Sequence, residues 1–276
     1  MISALSPATS EPATPASAGF SLIEELDCDR CTIASDLHLD GTTRREVGFR
    51  RLLDAARAHG GPLILLGDVF EYWFGRQQLQ TDLYRREIEL IADATHSGQS
   101  IVFVPGNRDF LVDATFARVT GVRIAGDALS VRCAGERLHL THGDLFSTAD
   151  VGYHRLRGIL RHRMLVFLAH QLPAWVVHPL ALGLRRQSER SIARKPMITM
   201  EPDRNAVAEI LASGFDAVIC GHFHQLRDER VGAGAGAGRF VVLEPFEDHG
   251  YTLSIDERGW FCARLEQGPT VPTAIG

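Results

Sequence analysis

Short apolar runs alternate with stretches of helical period through the first half of the chain. Cys31–Ser35, Leu63–Leu66 and Ile101–Val104 have the length and apolar content of buried strands. Between them, Arg44–His59 spaces Val47, Phe49, Leu52, Leu53 and Ala56 as one helical face. Leu83–Ser97 does the same with Leu83, Ile88, Leu90, Ile91 and Ala94. A βαβαβ order predicts parallel strands whose C-terminal loops gather on one edge. In open α/β sheets that edge binds ligands.

The second half has a different rhythm. Ala128–Cys133 and Arg137–Thr141 flank Ala134-Gly135-Glu136, a hairpin pattern, and Asp216–Cys220 is a further strand. Arg239–Glu244, Tyr251–Ile255 and Trp260–Arg264 suggest a terminal antiparallel set. Val231–Gly238 alternates Gly and Ala and is expected to be a loose hairpin loop. No lysine or serine follows its glycines, so it resembles no phosphate loop. Residues 151–202, dense in helix formers and hydrophobes, are expected to be a helical cap inserted into a core of 28–150 and 203–265. Residues 1–27 and 266–276 are expected to be tails, the first rich in Ala, Ser, Thr and Pro without a basic start.

Composition narrows the partners. A net charge of -5 argues against broad nucleic-acid binding, and none is expected. The most apolar window, Leu165–Leu184, contains His170, Gln171, Pro173, His178 and Pro179, which argues against a membrane-spanning helix. Cys28, Cys31, Cys133, Cys220 and Cys262 form an odd, scattered set. Cys28-Asp29-Arg30-Cys31 has knuckle-like spacing without a second pair, so reduced thiols of a cytosolic protein are expected.

Five segments carry candidate chemistry: Ser35-Asp36-Leu37-His38, Gly67-Asp68-Val69-Phe70-Glu71, Gly106-Asn107-Arg108-Asp109, His142-Gly143-Asp144 and Gly221-His222-Phe223-His224. Each follows a predicted strand, so the five loops can converge. Taken singly, each is a weak motif; an Asp-x-His or a Gly-Asp is commonly just a turn. Together they supply two aspartates, one asparagine and four histidines, a set suited to Mn²⁺, Fe²⁺ or Zn²⁺ in a hydrolytic centre. With Asp68 as a bridge, Asp36, His38 and His224 would hold one ion, and Asn107, His142 and His222 the other.

The ordered set resembles the calcineurin-like metallophosphoesterases over about Cys31 to Glu244. That resemblance implies a β-sandwich flanked by helices, an α/β fold, with the helical insertion as a cap. Where the superfamily commonly has Gly-Asn-His, this chain has Gly106-Asn107-Arg108-Asp109-Phe110-Leu111. Arginine cannot act as an acid near neutral pH, but it offers a fixed bidentate cation. That block, Gly67 to Gly75, and the stretch from His142 through Asp150 to Tyr153 are similar to the UDP-2,3-diacylglucosamine diphosphatase family. The resemblance implies hydrolysis of a UDP-linked acylated sugar lipid of lipid A synthesis to UMP and a diacylglucosamine 1-phosphate, with two Mn²⁺. By position, Asn107, Arg108 and His222 would be catalytic and touch substrate, and Asp150, Ser188 and Lys195 would bind it. The chain departs from the family at Arg76-Gln77-Gln78, at Phe223 and Gln225-Leu226, at Ile192, and at Leu243-Glu244-Pro245-Phe246.

The cap interleaves Leu156, Ile159, Met164, Leu168, Leu172 and Trp175 with Arg155, Arg157, Arg161 and Arg163. Two readings stand side by side. The hydrophobes pack on the core with solvated arginines, or they form an acyl-chain chamber whose arginines dock on the cytoplasmic face of the inner membrane. A phosphodiesterase or pyrophosphatase of other substrates, and a binding module without chemistry, are the competing functions.

Overall fold

Cys31–Ala34 (β2), Leu63–Leu66 (β3) and Ile101–Val104 (β4) lie side by side in parallel, joined through the helices Thr43–His59 (α1) and Arg85–His96 (α2). The computed structural model describes residues 22–147, 151–179, 183, 201–265 and 273–275. Every position of the three strands is buried, because both faces of the sheet are covered. Side chains alternate accordingly. Ile64, Leu66, Val102 and Val104 enter an inner core, whereas Leu63, Leu65, Ile101 and Phe103 enter an outer one under the helices.

Ala114–Thr120 (α3) is capped by Asp113, whose carboxylate accepts from the Thr115 and Phe116 amides. It leads into Arg123–Cys133 (β5), which belongs to two sheets. Its first residues pair in parallel with β4. From Ala128 onward it pairs antiparallel with Glu136–Thr141 (β6). The second sheet continues through Ala217–Cys220 (β7) and Gly238–Val242 (β9), both parallel, to Arg227–Val231 (β8) at its edge. Tyr251–Asp256 (β10), Gly259–Arg264 (β11) and Thr273–Ile275 (β12) extend the first sheet beyond β2. Leu129, Leu138, Ile219 and Val241 face the inner core from the second sheet. The helix Arg204–Ala212 (α6) covers its outer face through Val207 and Leu211, packed on Val218, Phe240 and Val242. The result is two sheets face to face with helices outside, the sandwich expected from the motifs.

Three expectations need correction. Ile23–Cys28 (β1) is no tail but a strand parallel to β5; its exposed Glu24 and Glu25 around buried Leu26 hide it in a polar run. Thr273–Ile275 is likewise an edge strand rather than part of a tail. β9 does not join the terminal antiparallel set. Phe240 and Val242 face the outer core while Val241 and Leu243 face the inner one, so the segment is buried on both faces and pairs in parallel with β7. The Gly/Ala segment connects β8 to β9 and includes a single 3₁₀ turn, Gly234–Gly236.

Among the described residues, the cap comprises Val151–Leu160 (α4), Arg163–Gln171 (α5) and a further helical stretch over 174–179. Polar contacts tie it down. Arg157 pairs with Asp144 at 2.8 Å and Asp127 at 2.9 Å, and Arg161 pairs with Asp127 and donates to the Gly106 carbonyl. These two arginines are therefore neither solvated nor available to lipid. Gln77, at one of the departures from the family, donates to the carbonyls of Ala169 and Leu172.

Candidate metal centre

The five loops meet at one edge of the sandwich. Asp36 and His38 follow β2, Asp68 follows β3, and Asn107 and Arg108 follow β4. From the second sheet, His142 follows β6, and His222 and His224 follow β7. The loops are laced to one another. Asp36 donates its amide to the Gly67 carbonyl, His38 to that of Asp68, and Gly221 to that of His142. This lacing holds an unusual backbone. Asp36, His38, Asp68, His222 and His224 all have positive φ, leaving only Tyr84 and Ala134 as other such non-glycine residues among those described. Each such residue costs on the order of 1–3 kcal/mol, a strain that clusters at functional sites.

The glycines of the motifs have a steric purpose. A Cβ at Gly221 would overlap Ser35 Oγ and Asp36 Oδ2. One at Gly106 would overlap the Asp68 carboxylate. Glycine before Asn107 and His222 thus lets neighbouring loops approach to contact. The aromatic residues after Asp68 anchor its loop: Phe70 stacks against Trp73, Tyr84 and Phe103, all buried.

Ligand atoms of Asp36, His38 and His224 lie within 4.8 Å of one another, and so do those of Asp36, Asp68 and His142. His224 Nε2 is 3.2 Å from Asp36 Oδ1 and 3.4 Å from His38 Nε2. His142 Nε2 is 3.0 Å from Asn107 Oδ1 and 3.6 Å from Asp68 Oδ1. The His222 ring stands 5.0 Å from that of His142. Asp36 is common to both groups, but its Oδ2 accepts from the His222 amide and the Ser35 hydroxyl, so Oδ1 is its outward oxygen. Arg108 Nε lies 3.1 Å from Asp68 Oδ2, its amide donates to Asp68 Oδ1, and its Nη1 reaches Glu71. Of the sequence-derived set, Asp36, His38, Asp68, Asn107, Arg108, His142, His222 and His224 are thus brought together. Asp150, Ser188 and Lys195 lie outside the described residues.

Charge here is concentrated and dry. Burial opposes ionisation of Asp36, yet its hydrogen bond to His224 and the nearby imidazoles hold its carboxyl well below the usual range. Burial likewise opposes charge on His142, but Asp68 and Asp36 outweigh it and raise the imidazole. His222 is pulled down to about 4 by burial and by His142. Buried carboxylates facing buried imidazoles, with hard oxygen and borderline nitrogen donors, fit divalent cations.

Sequence reasoning gave no role to three participants, two of which, Glu71 and Asp109, close its own motifs. Glu71 lies 3.3 Å from His38 Nδ1, the position that orients a ligating imidazole. Its only signal was a place three residues after Asp68. Glu247 stands 3.7 Å from His38 Nε2 and pairs with Arg45; it falls just after the departing Leu243–Phe246 block, where no motif marked it. Asp109 accepts from the amides of Val69 and Gly106, tying the second and third loops together, and burial with Asp68 nearby raises it to about 6.

The class these features define is that of a hydrolytic phosphoesterase. A family model described as calcineurin-like phosphoesterase matches residues 30–226, and the chain belongs to that family. Curated relatives named UDP-2,3-diacylglucosamine hydrolase include one from Pseudomonas fluorescens, 32% identical over 85% of this chain and 94% of its own length. Another, from Pseudomonas putida, is 29% identical over 85% of this chain and 98% of its own length. The narrower resemblance carried by the motifs is borne out. Among solved structures, an archaeal phosphodiesterase aligns over 85% of this chain and 98% of its own, with 12% identity and a TM-score of 0.44.

Proposed function

We propose that the protein hydrolyses the diphosphate bond of UDP-2,3-diacylglucosamine to UMP and 2,3-diacylglucosamine 1-phosphate, using two divalent metal ions, Mn²⁺ foremost. The observation that carries the reading is the pair of three-donor groups with Arg108 beside them. The names of the curated relatives supply the substrate.

Asp36, His38 and His224 would hold one ion, Asn107, His142 and His222 the other, and Asp68 would bridge them. Bound there, the ions make water a nucleophile near neutral pH and polarise phosphoryl oxygens. Around them, the chain's own groups orient and neutralise. Glu71 stands 3.3 Å from His38 Nδ1 and would orient that ring once the imidazole is engaged. Arg108, now held between Asp68 and Glu71, is placed to swing its guanidinium onto a phosphate. Asn107 and His222 face the same space and would contact the diphosphate.

The cap supports the lipid half. Trp175 is 78% exposed and Met164 62%, with Ile159 and Leu168 also exposed. No helix among the described residues is long and apolar enough to cross a membrane. An apolar face of this kind suits acyl chains and shallow insertion at the cytoplasmic face of the inner membrane.

Incubation of purified protein with Mn²⁺ and the UDP-linked lipid should release UMP, detected by mass spectrometry. Release of none, together with brisk cleavage of a model phosphodiester, would transfer the protein to the broader phosphodiesterase reading. Asp68→Ala should abolish turnover, at least about a thousandfold in kcat/KM, because the shared ligand is lost.

A further inference from the structure

Cys28, Cys31 and Cys133 come from three strands, and their sulphurs all lie within 4.8 Å of one another. Cys28 and Cys133 are register partners where β1 runs beside β5. Cys31 opens β2, opposite Ile255 of β10, and Cys133 Sγ approaches the Ile255 carbonyl at 3.8 Å. The strand order brings them together although 102 positions separate Cys31 from Cys133 (133 − 31). The cluster closes the inner core at the end of β2 away from Asp36, far from the hydrolytic loops.

We infer that these three cysteines form a second metal site, which holds one thiophilic divalent ion such as Zn²⁺. Tetrahedral Zn²⁺ with Zn–S near 2.3 Å requires sulphurs roughly 3.8 Å apart, so the observed spacing needs a contraction of about 1 Å at most. Three sulphurs in mutual reach are one more than a disulfide can use. A cleft of about 690 Å³ opens onto Cys28 and Cys133, leaving a fourth position for water or for a rim carboxylate, Asp27 or Asp29. Arg30 and Arg132 line the same cleft and offset the charge of a three-thiolate centre. On binding, each ligating thiol gives its proton to solvent, and the three thiolates leave the divalent centre with a single net negative charge, which the two arginines offset.

The test uses the full chain, reduced and stripped of metal, titrated with Co²⁺ and then Zn²⁺. The hydrolytic centre offers only oxygen and nitrogen, so sulphur-to-cobalt charge-transfer absorption reports this site alone. The band should grow to one thiolate-bound Co²⁺ per chain, Zn²⁺ should erase it, and Zn²⁺ should shield the half-buried Cys28 from alkylation. Cys28→Ser and Cys133→Ser should lose the band, while Cys262→Ser keeps it. A wild-type chain with all thiols free that gives no charge-transfer band, or no shielding, overturns the proposal. So does a Cys28–Cys133 disulfide that persists in the native reduced preparation.

Discussion

The guanidinium of Arg108 is held by two carboxylates, Asp68 at 3.1 Å and Glu71 at 3.0 Å, and is still partly open to solvent. A lysine would keep the charge but not the planar fork. Arg108→Lys is therefore expected to lower kcat/KM by about 10²–10³-fold while the metal content stays unchanged, checked by steady-state kinetics beside elemental analysis. Gly221 makes a contrasting case, since its role is only to leave room. Gly221→Ala should destabilise the chain by roughly 1–3 kcal/mol through overlap with Ser35 and Asp36, read from urea unfolding, and lower metal retention with it. An unfolding midpoint equal to wild type would show that the loop relaxes freely. At this scale the donors were legible because each follows an apolar strand in a recognisable motif. Glu71 and Glu247 were not, because orienting a ligand requires proximity in space and leaves no spacing rule in the chain.

At the level of single elements, β2 to β4 were readable because double-sided burial demands short apolar tetrads, in which Thr32 is the one polar member, and α1 and α2 because one buried face imposes a period. β1 was not, since one buried side chain among acids carries almost no pattern. The short, polar β8 failed for the same reason: the sequence Arg-Asp-Glu-Arg-Val reads as loop until β9 supplies its partner. β6 carries a prediction of its own. His139 packs edge-on against Phe215, and burial lowers its imidazole to about 4. The unfolded chain protonates near the ordinary histidine value while the folded chain resists, so stability is complete above about pH 6.5 and is lost as pH falls toward 4. His139→Gln should flatten that part of the stability profile, seen in unfolding midpoints compared across the window. An unchanged slope would assign the loss to other groups.

For the molecule as a whole, the proposed membrane role rests on the cap. Arg157 and Arg161 pair with the core, whereas Met164, Leu168 and Trp175 are exposed and would be the side chains that meet a lipid surface. Burying one such side chain is worth roughly 1.5–3 kcal/mol. Replacing Met164, Leu168 and Trp175 together by serine should then weaken sedimentation with phosphatidylglycerol vesicles at least about tenfold, even with partial insertion. Cleavage of a soluble phosphodiester should be unaffected, and equal sedimentation of both proteins would remove the membrane role. The sequence left open whether this insertion packs or reaches outward, because hydrophobic content is the same in both cases.

Among the described residues, β5 is the single strand common to both sheets, and the candidate donors divide across it: Asp36, His38, Asp68 and Asn107 on one side, His142, His222 and His224 on the other. In the proposed assignment each ion would draw donors from both leaves of the sandwich. Filling the centre would rivet the two leaves along their shared hinge, so loaded protein should melt as one unit and at a higher temperature than the stripped chain.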